Sequence, residues 1–224
     1  MNKTVLITGS SKGLGRSLAL TFARNKYNVI IHGRDREKLK EVEQGVRAET
    51  VECDVVIGEI SELKTIEKLT EVASHRGLTV LINNAGMYLK EGILFVNDKK
   101  IRDIIETNLL APMFLIRRVM GMGSCEKIVN INSIAGKNPN AEESVYCASK
   151  HGLRGFTNSL QFETKKTVQI IDLYLGAMKT DMTRMREGFE KLINPNEAAE
   201  AIYSLCENYK SLKIKEINIA RKDY

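Results

Sequence analysis

Short, continuous apolar runs alternate with segments of helical period almost from one end of the chain to the other. KTVLITG, NVIIHG, AETVEC, LTVLINN, EKIVNINS, VQIIDLYL and KEINIA read as strands. Several lack any polar alternation, which suits strands covered on both faces by helices. Between them, LGRSLALTFARN, REKLKEVEQGV, ISELKTIEKLTEVAS and a long stretch from Asp98 to Met122 place apolar residues three and four apart. That spacing marks a helix with one buried face. GLRGFTNSLQFETKK and PNEAAEAIYSLCENY continue the pattern, and in the second Asn194 or Asn196 can cap a helix that starts at or beside Pro195. The alternation predicts an α/β fold, a doubly wound and mainly parallel seven-stranded sheet with helices on both faces and right-handed crossovers. No repeat, low-complexity segment or Gly/Ser/Pro-rich linker interrupts it, so residues 1–224 are expected to form one domain.

Composition narrows the function more than the fold. Hydrophobic residues make up 43% of the 224 positions, ample for a buried core. Nowhere do about 18 apolar residues run together, so no membrane span is expected. The start, MNKTVLITGSSKG, has neither the long apolar region nor the cleavage site of a secretory signal. The four cysteines (Cys53, Cys125, Cys147, Cys206) form no CxxC pair and read as free thiols of a reducing cytoplasm. His32, His75 and His151 are scattered, so no metal site is expected. The net charge of +6 comes from pairs such as Arg117–Arg118 and Lys165–Lys166 spread among acidic residues, with no tryptophan in the chain. That pattern does not suggest nucleic-acid binding; it suits an enzyme that handles anionic cofactors or substrates.

The first chemical motif is TGSSKGLG, Thr8 to Gly15, between the first strand and the first helix. Gly9 lets the chain leave the strand sharply, because glycine alone reaches positive φ without strain. Gly13 and Gly15 remove side chains where a pyrophosphate would approach and where helix packs on strand. The helix N-terminus beneath offers unpaired N–H groups and partial positive charge to a phosphate. The spacing is not GxGxxG, but its place after the first strand of an alternating chain points to a nucleotide.

The second motif is YCASK, which puts Tyr146 one helical turn before Lys150. The spacing alone decides nothing, because YKSLK repeats it at Tyr209 and Lys213. What separates the two pairs is context. In chain order stand TGSSKGLG, CDV (Asp54 and Val55), NNAG (Asn83 to Gly86), ETNLLAP (Asn108), INSIAG (Ser133) and YCASK. This series resembles the short-chain dehydrogenase/reductases of single-domain length, over nearly the whole chain. Tyr209 and Lys213 have no such series behind them and read as a solvated helix end.

The resemblance implies a Rossmann-type fold and an oxidoreductase that interconverts a ketone or aldehyde with an alcohol by hydride transfer. It implies Asn108, Ser133, Tyr146 and Lys150 as the catalytic group. Tyr146 would be general acid in reduction and base in oxidation, its pKa lowered by the Lys150 ammonium and an oxidised nicotinamide. Lys150 would also hold the nicotinamide ribose, Ser133 would bind the substrate oxygen, and Asn108 would hold a proton-relaying water. Cofactor contacts are implied for Gly9, Ser11, Lys12, Gly13, Leu14, Gly15, Arg34, Asp54, Val55, Asn84, Ala85, Gly86, Tyr146, Lys150, Gly176 and Thr180.

NADP(H) is expected over NAD(H). Lys12 and Arg34 are cations suited to a 2′-phosphate, whereas Gly33 stands where NAD-preferring sites place a carboxylate. The stretch YLGAMKTDM has Leu175 where the family usually has proline, so a less rigid loop is expected there. The short segment 178–195 reads as the substrate lid, with a small or open pocket. By resemblance, the helices of Asn108 and Tyr146, with Leu109, Phe114, Leu153, Phe156 and Leu160, would pair in a homodimer or homotetramer. Two other readings stand beside the enzyme: a non-catalytic nucleotide-binding regulator of the same fold, and an epimerase or dehydratase. The latter relatives usually carry a longer C-terminal substrate domain.

Overall fold

A computed structural model describes residues 2–164, 168–185, 188–209 and 211–222. Seven strands, β1 Thr4–Ile7, β2 Asn28–Gly33, β3 Cys53–Ile57, β4 Leu78–Asn83, β5 Lys127–Ser133, β6 Gln169–Leu175 and β7 Glu216–Ile219, form one sheet. Their spatial order is β3-β2-β1-β4-β5-β6-β7, and every neighbouring pair is parallel. The helices are α1 Gly13–Arg24, α2 Arg36–Arg47, α3 Leu63–His75, α4 Asp98–Ile105, α5 Ala111–Met120, α6 Ser144–Glu163 and α7 Pro195–Glu207.

Each buried strand feeds two cores. Val5, Ile7, Val29, Ile31, Val80, Ile82 and Val129 pack with α1, α2 and α7. Leu6, Ile30, Leu81, Ile128 and Ile170 face the other way, onto α3, α5 and α6. Two buried faces account for the unbroken apolar runs in the sequence. The strand order reverses between β1 and β4, and an α/β sheet of this kind opens a crevice at the carboxyl edge of that switch.

Two elements depart from expectation. The run AETVEC is not the third strand: α2 extends to Arg47, and Thr50 turns the chain through a φ of 59°. The strand starts only at Cys53 and pairs Cys53 with Val29 and Ile57 with Gly33. The stretch from Asp98 to Met120 is helical but not one regular helix, because Glu106–Leu110 winds as a π-turn between α4 and α5.

Candidate active site

A cavity of about 790 Å³ runs along the carboxyl edge of the sheet, from the glycine turn to α6. Gly9 has a φ of +68°, as the turn requires. A Cβ on Gly15 would lie 2.1 Å from the Gly9 carbonyl oxygen, so helix α1 packs on the turn through a position that admits no side chain. The end of β4 braces the same turn: Asn84 Nδ2 donates to Thr8 O and Gly9 O at 2.9 and 3.0 Å, while the Asn84 and Ala85 amides donate to Thr8 Oγ1. Gly9, Ser11, Lys12, Gly13, Leu14 and Gly15 line the cavity, as do Asn84, Ala85 and Gly86. Helix α1 has no side-chain cap and no acidic residue in its first turn, so its N-terminal amides and dipole remain available to an anion. This cradle fits the diphosphate of a dinucleotide.

At the far end of the groove the CDV expectation fails. Asp54 and Val55 lie inside β3, paired with Ile30 and Ile31, and they do not line the cavity. Asp54 is turned to Arg76, whose Nε donates to its Oδ2 at 2.7 Å. Glu59 and Ile60 occupy the groove instead, because β3 starts later than the motif suggests. His32, which carried no role in the sequence reading, fixes this corner. Its Nδ1 accepts from the Gly9 amide at 3.3 Å and its Nε2 reaches the Gly58 carbonyl at 3.2 Å. Burial lowers its pKa to about 4, so the ring is neutral with its proton on Nε2.

Helix α6 closes the opposite end. Tyr146 and Lys150 line the cavity together with Ser133 from the end of β5. Lys150 is only 6% exposed and donates from Nζ to the Ile131 carbonyl at 3.0 Å. Burial lowers its pKa to about 8, with Asp172 opposing the shift. Burial raises the pKa of the Tyr146 phenol, a side-chain hydrogen bond with Ser133 opposes the rise, and Glu143 adds to it. With its pKa raised, the tyrosine is a protonated acid at neutral pH. Tyr88 packs edge-on against its ring, with centroids 5.1 Å apart, and donates to Glu143 Oε1 at 2.6 Å.

Asn108 does not line the cavity. Buried in the π-turn, its Oδ1 accepts from the Met87 amide at 2.8 Å, and its Nδ2 donates to Met87 O and Ser149 Oγ. The side chain therefore ties the segment after β4 to α6. Beneath Lys150 lies a polar floor the sequence reading missed. Asn132 accepts from the Ser133 amide at 2.8 Å and donates to the Lys150 carbonyl and to Asp172. Asp172, fully buried, also accepts from the Tyr174 hydroxyl at 2.5 Å. Both residues sit on strand interiors, where an isolated Asn or Asp carries no motif.

Past β6 the chain is held more firmly than the missing proline suggested. The Gly176 amide donates to Ile219 O at 2.9 Å, so the ladder to β7 continues beyond Leu175. Ile193 N donates to Ala177 O and Lys179 N to Ile193 O, closing a bridge between Met178 and Ile193. Gly176 and Thr180 line the cavity. Of the expected lid, residues 186–187 lie outside those described. Lys165 and Lys166 lie outside them too. Tyr209 is 40% exposed and lies beyond the end of α7, so it shares no helical turn with Lys213. The four cysteines are buried and unbridged.

The sheet order and the crevice at its switch point define a Rossmann-type α/β protein. The chain belongs to the short-chain dehydrogenase family, whose model matches residues 3–191. It is 30% identical to the 3-oxoacyl-(acyl-carrier-protein) reductase FabG of Staphylococcus epidermidis over 82% of this chain and 78% of that protein. It is 27% identical to the diacetyl reductase ((S)-acetoin forming) of the same species over 96% and 87%. A metagenomic short-chain oxidoreductase solved in complex with NADP superposes with a TM-score of 0.85 at 27% identity, over 98% and 97% of the two chains. The protein is an oxidoreductase of carbonyl and alcohol groups.

Proposed function

We propose that this chain is an NADP(H)-dependent reductase of small activated ketones, with Tyr146 as the proton donor. The observation that supports this reading is the cavity itself, lined by the glycine turn and the start of α1 at one end and by Ser133, Tyr146 and Lys150 together at the other. When bound, the reduced nicotinamide supplies a hydride to the carbonyl carbon. Gly9, Ser11, Lys12, Gly13, Leu14 and Gly15 would hold the diphosphate, Arg34 the adenosine end, and Ala85, Gly86, Gly176 and Thr180 the nicotinamide half.

The remaining work falls to side chains of this chain. Ser133 donates a hydrogen bond to the substrate oxygen and stabilises the negative charge that grows there. Tyr146 delivers its proton to that oxygen as the C–O double bond becomes single. Lys150, held by the Ile131 carbonyl and lining the same end of the cavity as Tyr146, would supply the positive charge that favours the phenolate left behind. Asn108 acts from behind, fixing Met87 and, through Ser149, the turn of α6 that carries Tyr146.

The names of the two curated relatives describe ketones with a second carbonyl nearby, and that is the substrate class proposed here. A panel including diacetyl and a 3-oxoacyl thioester, run with NADPH and NADH in turn, tests it. Substrate-dependent oxidation is expected, faster with NADPH; equal rates with both cofactors would overturn the preference. We also propose a homodimer or homotetramer through the helices of Asn108 and Tyr146. On them Leu153 and Leu160 are buried in the chain, while Leu109, Phe114 and Phe156 are only partly covered. A monomer mass by light scattering at micromolar concentration would contradict it.

A further inference from the structure

The adenosine end of the groove carries two opposite chemistries side by side. Gly33, where a carboxylate would favour a ribose hydroxyl, is followed by Arg34, which favours a phosphate. The segment just past the neighbouring strand β3, however, supplies a carboxylate of its own. Arg34 Nη1 and Glu59 Oε2 are 3.0 Å apart, with side chains 69% and 34% exposed, and both line the cavity.

The position of Glu59 is built into the backbone. The Gly58 amide donates to the Gly33 carbonyl at 3.0 Å, and His32 Nε2 donates to the Gly58 carbonyl. A Cβ on Gly58 would lie 2.3 Å from Thr65 Oγ1, so the chain passes close under α3 before presenting Glu59. Two other cations near this end also face carboxylates across exposed pairs. Lys12 pairs with Asp181 at 3.1 Å, and Lys38 with Asp35 at 3.4 Å.

We propose that Glu59 sets how strongly this site prefers a 2′-phosphate over a 2′-hydroxyl. It competes with the phosphate for the Arg34 guanidinium and accepts a hydrogen bond from the hydroxyl. The inference rests on the nucleotide reading of the cavity and deepens it. A dianionic phosphate seated on Arg34 lies next to the Glu59 carboxylate and is repelled by it, whereas a neutral hydroxyl is not. A carboxylate that faces a hydroxyl accepts its proton, which is the reason NAD-preferring sites carry one. The two demands meet on one residue, so its charge tunes selectivity while Arg34 provides it.

The test is calorimetric titration with 2′,5′-ADP and with 5′-AMP, which needs no substrate and no turnover. Glu59→Gln keeps the size and removes the charge at a surface position. It is expected to tighten 2′,5′-ADP about tenfold and to leave 5′-AMP equal or weaker. Arg34→Ala is expected to weaken 2′,5′-ADP selectively. If Glu59→Gln leaves the ratio of the two affinities as in wild type, Glu59 is only a surface partner of Arg34 and the proposal is wrong. If it weakens 2′,5′-ADP instead, the carboxylate orients Arg34 for phosphate, which also overturns it. Wild-type protein that binds neither nucleotide would remove the underlying reading of the cavity and this proposal with it.

Discussion

Replacing Tyr146 by phenylalanine is expected to lower turnover about 10²–10⁴-fold while leaving dinucleotide affinity within about twofold of wild type. The phenol shares the end of the cavity with Ser133 and Lys150, and burial holds it protonated. On the proposed function it is the group that gives a proton to the carbonyl oxygen. The ring stays in the variant, so its packing against Tyr88 and the shape of the pocket persist. Only the acid is lost. Tyr209→Phe is the control, because it has the same four-residue distance to a lysine but lies exposed beyond α7. It should turn over like wild type. Normal turnover in Tyr146→Phe would remove Tyr146 from the chemistry.

Lys150→Met should damage two functions at once. Turnover is expected to fall about 10²–10³-fold, as when a donor stabilising developing charge is removed. Dinucleotide affinity should weaken about tenfold or more, through loss of a charge-assisted hydrogen bond to the ribose. Unfolding would not explain the loss. Burial disfavours the charged form of Lys150 and lowers its pKa from 10.5 to about 8, so methionine should leave the melting temperature at or above that of wild type. The same shift sets a pH dependence. Below about 8 the ammonium is intact; as pH rises through about 8 it loses its proton, and wild-type reduction should decline on that limb. The residual rate of Lys150→Met should lack the limb. A melting temperature well below wild type, or an unchanged alkaline limb in the variant, would count against the assignment.

The parts of the site legible in sequence were those that depend on backbone chemistry or on order along the chain. The turn at Gly9 demands a positive φ, Gly15 lies where no Cβ fits, and both are readable because only glycine meets those needs. Tyr146 and Lys150 were separated from their decoy by the motifs before them, and the structure places them with Ser133 around one cavity. The error at Asp54 and Val55 had a physical source. CDV matched the motif, but the apolar run continues through Val56 and Ile57, and those residues are strand, not strand end. His32, Asn132 and Asp172 had no sequence signal, since their roles exist only where strands distant in the chain become neighbours. The role of Leu175 was misjudged for a related reason. Proline stiffens a loop by fixing its own φ, whereas here Ile219 and Ile193, far along the chain, hold it by hydrogen bonds.

The central claim is that this chain itself transfers hydride and proton to a ketone. The most direct measurement follows deuterium from NADPH labelled at the reactive C4 position into the alcohol formed from diacetyl or a 3-oxoacyl thioester. Wild-type protein is predicted to place the label on the carbinol carbon in step with cofactor consumed, and Tyr146→Phe to place almost none. Tight NADPH binding with no labelled alcohol from any ketone of the panel would contradict the account and identify a nucleotide-binding protein without turnover.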